Sequence, residues 1–207
     1  MRTAFDPTEI GARGFYQLLN AVIVPRPIAW VATTSPDGID NLAPHSFFTV
    51  SCVDPPIVQF TSVGRKDSLA NAEATGEFTI SLTPEWLFEE VNATATNFPR
   101  ERGEFSEVGL DSESSERVRP PRVAQSPVAL ECTLHSTLGL GNSTVVLGRV
   151  VHAAVADEVL VDGHPEVGLL KPLARLGRDE WSTIGRVLDK PRIRVEDWPN
   201  GYDPAGS

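Results

Sequence analysis

The sequence has few cysteines and few lysines, and both shortages exclude classes of protein. Cys52 and Cys132 are its only cysteines, and two cysteines cannot build a disulfide framework or a four-cysteine zinc site. We expect both thiols to be buried and reduced in a cytoplasmic protein. Lysine occurs only at Lys66, Lys171 and Lys190, and the net charge is −10 at pH 7. A chain this acidic is not expected to bind duplex nucleic acid or an anionic membrane surface.

Long hydrophobic runs are also missing. No stretch approaches the roughly 18 uncharged apolar residues that a membrane span requires. Residues 1–15 lack the apolar core of a signal peptide, so we expect a cytoplasmic protein with no membrane partner. Hydrophobic residues make up 41% of the chain and charged residues 22%, which is typical of a globular protein rather than a disordered one.

Turn-forming residues, by contrast, are abundant. The chain has 16 glycines and 17 prolines among 207 residues, which favours a sheet-rich protein with many turns. Alternating and β-branched segments predict about six or seven strands and about three short helices. Because the strands do not alternate with long helices, a doubly wound parallel sheet is not expected. A closed or partly closed antiparallel barrel fits better, since closure hides the edges of a sheet.

Two segments of the predicted single domain, 1–207, differ in composition from the rest. Residues 99–122 carry six acidic residues and five arginines but few large apolar side chains, so we expect an exposed excursion. Residues 190–207 show no helix pattern. We expect them to form an extended tail that lies over the body or over a partner subunit.

A dense group of polar residues at 62–68 follows a predicted strand and precedes a predicted helix. A helix N-terminus offers unpaired N–H groups and a partial positive charge, which favour phosphate. Arg65 and Lys66 add full charges, and Ser62 and Ser68 add hydroxyl donors. The GxxxxGK[ST] pattern of a nucleotide-binding loop is missing. The residues alone leave two alternatives open, an anion site and a solvated basic turn.

A second group, Asn41 to Phe48, combines polar, small and aromatic residues. Such a set suits a planar heterocyclic ligand, because amides bond ring edges while alanine permits close approach. The alternative is a loop in which Asn41 caps a turn and the aromatic rings belong to the core. A third segment, Pro25-Arg26-Pro27, leads rigidly into a predicted strand. By itself it specifies no function.

Taken together and in order, these segments resemble a known family. The sequence reads PRPIAWV, then NLAPHSFF, then PPIVQFTS, then RKDSLANAEATGEFTISL. This ordered set resembles the flavin reductase-like, FMN-binding split-barrel family. The resemblance spans 19–82 and extends more weakly through 128–155 and 170–177. It implies a mainly β, Greek-key-like split barrel with short flanking helices, assembled as a homodimer.

The resemblance also implies where a noncovalently bound FMN would lie, at the dimer interface. Residues 33–34 and 41–46 match segments that contact the flavin ring, and 61–71 match the segment that holds the ribityl chain and phosphate. A later segment at 175–177 lies close to the cofactor in the family. With Arg65 from the basic turn, the predicted cofactor-binding residues are Thr33, Thr34, Asn41, Ala43, His45, Ser46, Thr61, Ser62, Arg65, Lys66, Asp67, Ser68, Asn71, Arg175 and Gly177.

In function, the resemblance implies an NAD(P)H-dependent flavin reductase. Electrons would pass from NAD(P)H to the flavin, and then to free flavin, a ferric chelate, oxygen or a partner monooxygenase. Because the flavin carries the chemistry, we expect no catalytic side chain and no metal. Three alternatives stay open: a flavoredoxin-like electron-transfer protein, a flavoenzyme dedicated to one metabolite, and a barrel that binds no flavin.

Overall fold

The computed structural model describes residues 1–200 and 202, and it is organised around one large antiparallel sheet. The helices are α1 (Pro7–Val22), α2 (Asp67–Thr75), α3 (Phe88–Ala93), α4 (Glu104–Val108) and α5 (Val167–Leu170). The strands are β1 (Arg26–Pro27), β2 (Ala29–Thr34), β3 (Asp40–His45), β4 (Phe48–Cys52), β5 (Ile57–Val63), β6 (Glu77–Ser81), β7 (Ser112–Glu113), β8 (Arg122–Val123), β9 (Val128–Leu140), β10 (Ser143–Val155), β11 (Leu160–Val161), β12 (His164–Pro165), β13 (Ala174–Arg175) and β14 (Trp181–Ser182).

The main sheet has seven strands in the order β3-β2-β6-β9-β10-β5-β4. Every neighbouring pair is antiparallel. The mainly β prediction is therefore confirmed. The chain passes directly from β3 to β4, although these strands form the two edges of the sheet. A gap between the edges of a curled sheet is a place where a ligand can enter.

Strand β2 is buried on both faces, which explains its continuous apolar sequence. Trp30 and Ala32 face a core cluster shared with α3 and α4. Ala29 and Val31 face a second cluster, which includes the aromatic rings of Phe60 and Phe78. A turn at 35–38 with Gly38 at φ 86° leads from β2 into β3. Strand β3 can contain a proline because it lies at the sheet edge.

Strand β10 is irregular at Gly148, and the irregularity has a clear cause. The register of the β9–β10 pair shifts between Leu147 and Gly148. A Cβ atom at Gly148 would lie only 2.2 Å from Cζ of Phe78. The ring of Phe78 fills the space that any larger side chain would need, so the sequence requires glycine here.

Helix α1 is held at its first turn by a side-chain cap and at its end by an arginine. Asp6 caps the first turn, because its carboxylate accepts a hydrogen bond of 2.7 Å from the N–H of Thr8. At the other end, the guanidinium of Arg26 donates to the carbonyl oxygens of Asn20 and Ile23, at 2.6 and 3.1 Å. Within the described residues, none of the side chains of α1 is buried. The arginine between two prolines thus secures the end of the helix.

The segment at 99–122 is exposed over much of its length, but several of its residues anchor it to the core. Phe105, Leu110 and Val118 are buried, and the first two belong to the core cluster around Trp30. The carboxylate of Glu131, which is fully buried, accepts hydrogen bonds of 3.0 and 2.6 Å from the backbone N–H groups at 116 and 117. Several charged side chains of the segment pair with one another, as in Arg102–Glu107 and Arg122–Glu113.

The cysteines differ from each other. Cys132 is buried, and desolvation raises the pKa of its thiol to about 12, so this thiol is protonated and unreactive at neutral pH. Cys52 is partly exposed, which corrects the expectation that both thiols would be buried.

Of the predicted tail at 190–207, residues 201 and 203–207 lie outside the described part. The remainder holds one short 3₁₀ turn, Val195–Asp197, and is otherwise without helix or strand.

In the part of the chain that the structure describes, no helix combines the length and the apolar character that a membrane crossing would demand.

Candidate functional site

A cavity of about 340 Å³ opens where edge strand β3 passes into β4. Its walls come from β3, the end of β5, the first turn of α2, and a segment that follows α3. The backbone N–H of Thr61 donates to the carbonyl oxygen of Phe47 at 2.9 Å, which holds the turn after β3 against β5. The cavity therefore occupies the gap between the two edges of the sheet, and its volume lies within the usual range of small-molecule sites.

The structure brings two of the predicted segments together around this cavity. Strand β3 and the turn after it supply one wall, and the β5–α2 connection supplies the facing polar groups. These segments lie far apart along the chain and meet only because the sheet curls. The predicted residues that line the cavity are Asn41, Ala43, His45, Ser46, Thr61, Lys66, Asp67 and Ser68.

The remaining predicted residues lie elsewhere, although those on β2, β5 and α2 support the cavity from behind. Thr33 accepts a hydrogen bond of 3.2 Å from the amide of Asn71. Thr34 donates to Asp40 at 2.6 Å, which ties β2 to β3. The hydroxyl of Ser62 donates to the carbonyl oxygen at 64, at 2.9 Å, and shapes the turn before α2.

Arg65, Arg175 and Gly177 also lie outside the cavity lining that the described residues form. The guanidinium of Arg65 forms an ion pair of 2.6 Å with Glu73 on the surface of α2. Arg175 stacks over the ring of Trp181 at 4.5 Å. A Cβ atom at 177 would lie 3.1 Å from the Cα of Ala21, so this glycine allows β13 to approach the end of α1.

A buried hydrogen-bonded chain runs along one wall of the cavity. The side-chain amide of Asn41 donates to the hydroxyl of Ser68 at 3.2 Å, and Ser68 Oγ lies 3.1 Å from Nε2 of His45. Desolvation lowers the pKa of His45 to about 4, against a weaker opposing effect of a hydrogen bond to the backbone of Thr61. The imidazole is therefore neutral at pH 7. A neutral imidazole has one donor and one acceptor nitrogen, and Ser68 Oγ can pair with either.

The first turn of α2 is the most cationic part of the wall. Lys66 precedes the helix in an extended conformation, and among the described side chains none caps the first N–H groups. Asp67 lies in the first turn of the helix and does not cap it. Lys66 lines the cavity and makes no ion pair within 4.0 Å in the described part of the chain. Unpaired N–H groups and a free ammonium group favour an anion.

The sequence interpretation missed the wall formed by Thr94 to Phe98, which follows α3. Thr94 fixes this wall to the core, because its hydroxyl accepts a hydrogen bond of 2.8 Å from the indole N–H of Trp30. Tyr16 and Phe47 add aromatic surface, with ring centroids 6.4 Å apart. A run of small and polar residues directly after a helix was the only local signal for this wall.

Glu104 was also missed, because it lies in the segment that we expected to be exposed. Its carboxylate accepts a hydrogen bond of 2.8 Å from the N–H of Leu42 on the edge strand β3. The side chain is 8% exposed and lines the cavity. Desolvation raises the pKa of this carboxyl, although the hydrogen bond from Leu42 opposes that change.

Most of the chain is similar in sequence to a known protein family. Residues 21–169 match the family described as flavin reductase like domain. The chain belongs to this flavin reductase-like family. The match begins near the end of α1 and includes every strand of the main sheet. Membership makes the chain a flavin-related oxidoreductase.

Solved structures of the flavin reductase-like type superimpose over nearly the whole chain. Nitrilotriacetate monooxygenase component B from Bacillus cereus is 28% identical and has a TM-score of 0.87, covering 92% of this chain and 99% of that one. The 2-nitrobenzoate 2-nitroreductase from Pseudomonas fluorescens is 26% identical, with a TM-score of 0.82 and coverage of 93% and 96%.

A third solved structure supports only the fold. A split-barrel flavin reductase-type protein from Shewanella frigidimarina has a TM-score of 0.83 at 21% identity, covering 93% of this chain and 100% of that one. The predicted split-barrel fold is confirmed.

Proposed function

We propose that the protein is an NAD(P)H-dependent flavin reductase that holds FMN noncovalently in the cavity at the sheet gap. One observation carries the proposal. The cavity joins an uncapped helix N-terminus and a free lysine to a wall of small residues with a neutral, hydrogen-bonded histidine. A cationic end beside a neutral, partly aromatic wall is the combination that a flavin mononucleotide requires.

The donor set of the described residues fits the phosphate end of FMN. Lys66 would contribute an ammonium group, and the first N–H groups of α2 would contribute backbone donors. The hydroxyl of Ser68 is already hydrogen-bonded to His45, so its role is to hold the wall. Ser62 and Arg65 are likewise occupied within the protein, by the 64 carbonyl and by Glu73.

The remaining walls fit the ring system and its chain. Ala43 and Ser46 allow close approach of a planar ring, and Tyr16 and Phe47 add aromatic surface. The neutral His45 adds no charge beside the ring. Thr94 to Phe98 cover the cavity from a third direction and reduce the access of water.

When bound, FMN supplies the capacity to accept a hydride and to release electrons singly or in pairs. The chain's own residues bind and orient the ligand and shield it from water. Within the described cavity, Asp67 and Glu104 are the carboxyl groups, and neither has an adjacent nucleophile that it could activate. We therefore propose that catalysis depends on positioning and on electrostatics rather than on a side-chain acid or base.

The electron acceptor is proposed from the neighbours. The Bacillus cereus protein is named as a monooxygenase component, which supports transfer of reduced flavin to a partner oxygenase. The Pseudomonas fluorescens protein is named for one organic substrate. That name supports a second candidate, a flavoenzyme that reduces a single aromatic metabolite in the same cavity.

We also propose a homodimer. Helix α1 presents Ile10, Tyr16, Leu19 and Val22 to solvent, each at least 39% exposed. Apolar surface of this kind is costly in an isolated subunit and is typical of an interface. Because Tyr16 also lines the cavity, a partner that covers α1 would lie beside the ligand.

The experiment that tests the function starts with an absorption spectrum of the purified protein, recorded after FMN is added and excess is removed by desalting. A retained and shifted flavin band, bleached anaerobically by NADH or NADPH, is the expected result. Retained flavin that neither nucleotide bleaches would favour an electron-transfer protein. Failure to retain flavin, together with no turnover of excess free FMN, would overturn the proposal. Light scattering should give about twice the chain mass of 22.4 kDa.

A further inference from the structure

The carboxyl group of Asp67 lies beside the donors that would hold a phosphate. Lys66 is the lining cation, while Asp67 and Glu104 are lining carboxyl groups. With both carboxyl groups ionised, the lining carries one net negative charge. A phosphate monoester carries about −1.5 to −2 at neutral pH. Neutralisation of Asp67 by a nearby cation would therefore strengthen the binding of a phosphorylated ligand.

Arg65 forms no ion pair with Asp67 among the described residues, because its guanidinium pairs with Glu73 on the surface of α2. Arg102 lines the small cavity beside Asp67, but both of its side-chain bonds go to Glu107 on α4.

Arg100 contacts the carboxylate of Asp67. Its Nε lies 3.3 Å from Oδ1 of Asp67. Its Nη2 donates to Oδ1 of Asn71 at 3.3 Å, and the amide of Asn71 donates in turn to Thr33 at 3.2 Å. Asn71 is buried. The guanidinium therefore has a defined orientation over the first turns of α2.

The backbone that carries Arg100 is fixed on both sides. Thr94 accepts a hydrogen bond from the buried Trp30, and Glu104 accepts one from the backbone of Leu42. Between these anchors the chain lines the larger cavity and then a small one of about 10 Å³, in which Asp67 and Arg100 are both lining residues. The position of Arg100 beside α2 is thus determined by the fold.

We propose that Arg100 makes the cavity selective for a phosphorylated flavin over riboflavin, by neutralising Asp67 beside the phosphate end. The inference rests on the proposed function, since it assigns Arg100 within the same site. Arg100 is a positioning residue, because it acts through the carboxylate of Asp67. Without it, the cavity repels a dianionic phosphate but treats the uncharged ribityl chain of riboflavin as before.

The test is equilibrium titration of the purified full chain with FMN and, separately, with riboflavin, followed by flavin fluorescence. Arg100→Gln should weaken FMN binding by about three- to fivefold, because the Arg100 side chain is 61% exposed and its charge is partly screened by solvent. Riboflavin affinity should stay within about twofold. Arg100→Lys should retain most of the FMN affinity, and the double variant Asp67→Asn/Arg100→Gln should recover it. Arg102→Gln, on the same segment, is the matched control and should change neither affinity.

The outcomes separate this inference from the proposed function. If Arg100→Gln weakens FMN and riboflavin equally, its role is to support the segment, and the inference is wrong. The same holds if FMN binding is unchanged, if the double variant recovers nothing, or if the wild-type chain binds riboflavin as tightly as FMN. In each of these cases the proposed function stands. A wild-type chain that binds neither flavin would overturn both.

Discussion

The imidazole of His45 and the hydroxyl of Ser68 lie 3.1 Å apart and connect the edge strand β3 to the first turn of α2. This contact sets the distance between the two halves of the cavity wall. Burial lowers the pKa of His45 to about 4, so the imidazole in this contact is neutral at pH 7. Protonation of His45 therefore costs stability of the fold.

The first prediction concerns the pH dependence of stability. The pKa of His45 is about 4 in the folded protein and roughly 6.5 in an unfolded chain. Because the unfolded state binds more protons between these values, stability is fully present above about pH 6.5 and is lost as pH falls towards 4. The loss attributable to His45 should approach about 3 kcal/mol.

The measurement is urea unfolding of the wild type and of His45→Gln between about pH 4 and pH 8. Raised pKa values such as that of Glu104 act in the opposite direction, but they are present in both proteins. The difference between the two curves therefore isolates His45. Parallel curves would show that the imidazole does not titrate across this window.

The second prediction concerns Lys66. Lys66→Ala should weaken FMN binding by about 1–3 kcal/mol, because it removes a charged donor from the phosphate end. Isothermal titration calorimetry provides the measurement. Lys171→Ala is the control, since Lys171 pairs with Glu85 at 3.1 Å and lies outside the cavity lining of the described residues. Equal effects of the two substitutions would remove Lys66 from the phosphate end.

The third prediction uses two glycines of the same hairpin. Gly148→Ala should destabilise the protein by about 1–3 kcal/mol, because the new methyl group overlaps a buried ring. Its Cβ would meet Phe78 at 2.2 Å, whereas a Cβ at Gly139 meets nothing within 4 Å. Gly139→Ala should therefore leave the denaturation midpoint almost unchanged. A comparable loss in both variants would mean that strand glycines matter through backbone entropy rather than through the contact with Phe78.

The fourth prediction tests whether the segment at 99–122 belongs to the core. Phe105 is 8% exposed and packs in the cluster around Trp30. Phe105→Ala should cost about 3–5 kcal/mol of unfolding free energy through lost burial and an unfilled cavity. Phe5→Ala is the matched control, because Phe5 is 52% exposed. A loss below about 1 kcal/mol for Phe105 would support the exposed excursion that the composition suggested.

Local patterns were sufficient for the elements that carry their own signals. Asp6 and Pro7 mark the start of α1, and Gly76 ends α2 in a left-handed conformation at φ 75°. The uninterrupted apolar run of β2 indicates a strand buried on both faces. Each of these features depends on the preferences of adjacent residues, so the sequence is enough to recognise it.

The segment at 99–122 could not be interpreted in this way. The number of its acidic residues and arginines predicts a solvent-exposed segment. In the structure, however, Arg102 pairs with Glu107 and Arg122 with Glu113. The carboxylate of Glu131, which holds the backbone at 116–117, comes from a strand later in the chain. Composition gives the number of charges, whereas only tertiary contacts show which charges neutralise each other.

The sequence by itself determined the strand-rich class, the capped start of α1 and the motif order that marks the flavin reductase-like family. It also placed Lys66 and Ser68 at the start of a helix, because that signal is local. Only the tertiary structure decided which polar groups share a cavity. The curl of the sheet brings β3 to the start of α2 and lays Thr94 to Phe98 across them. Such a site depends on contacts between residues far apart along the chain, and no local preference encodes those contacts.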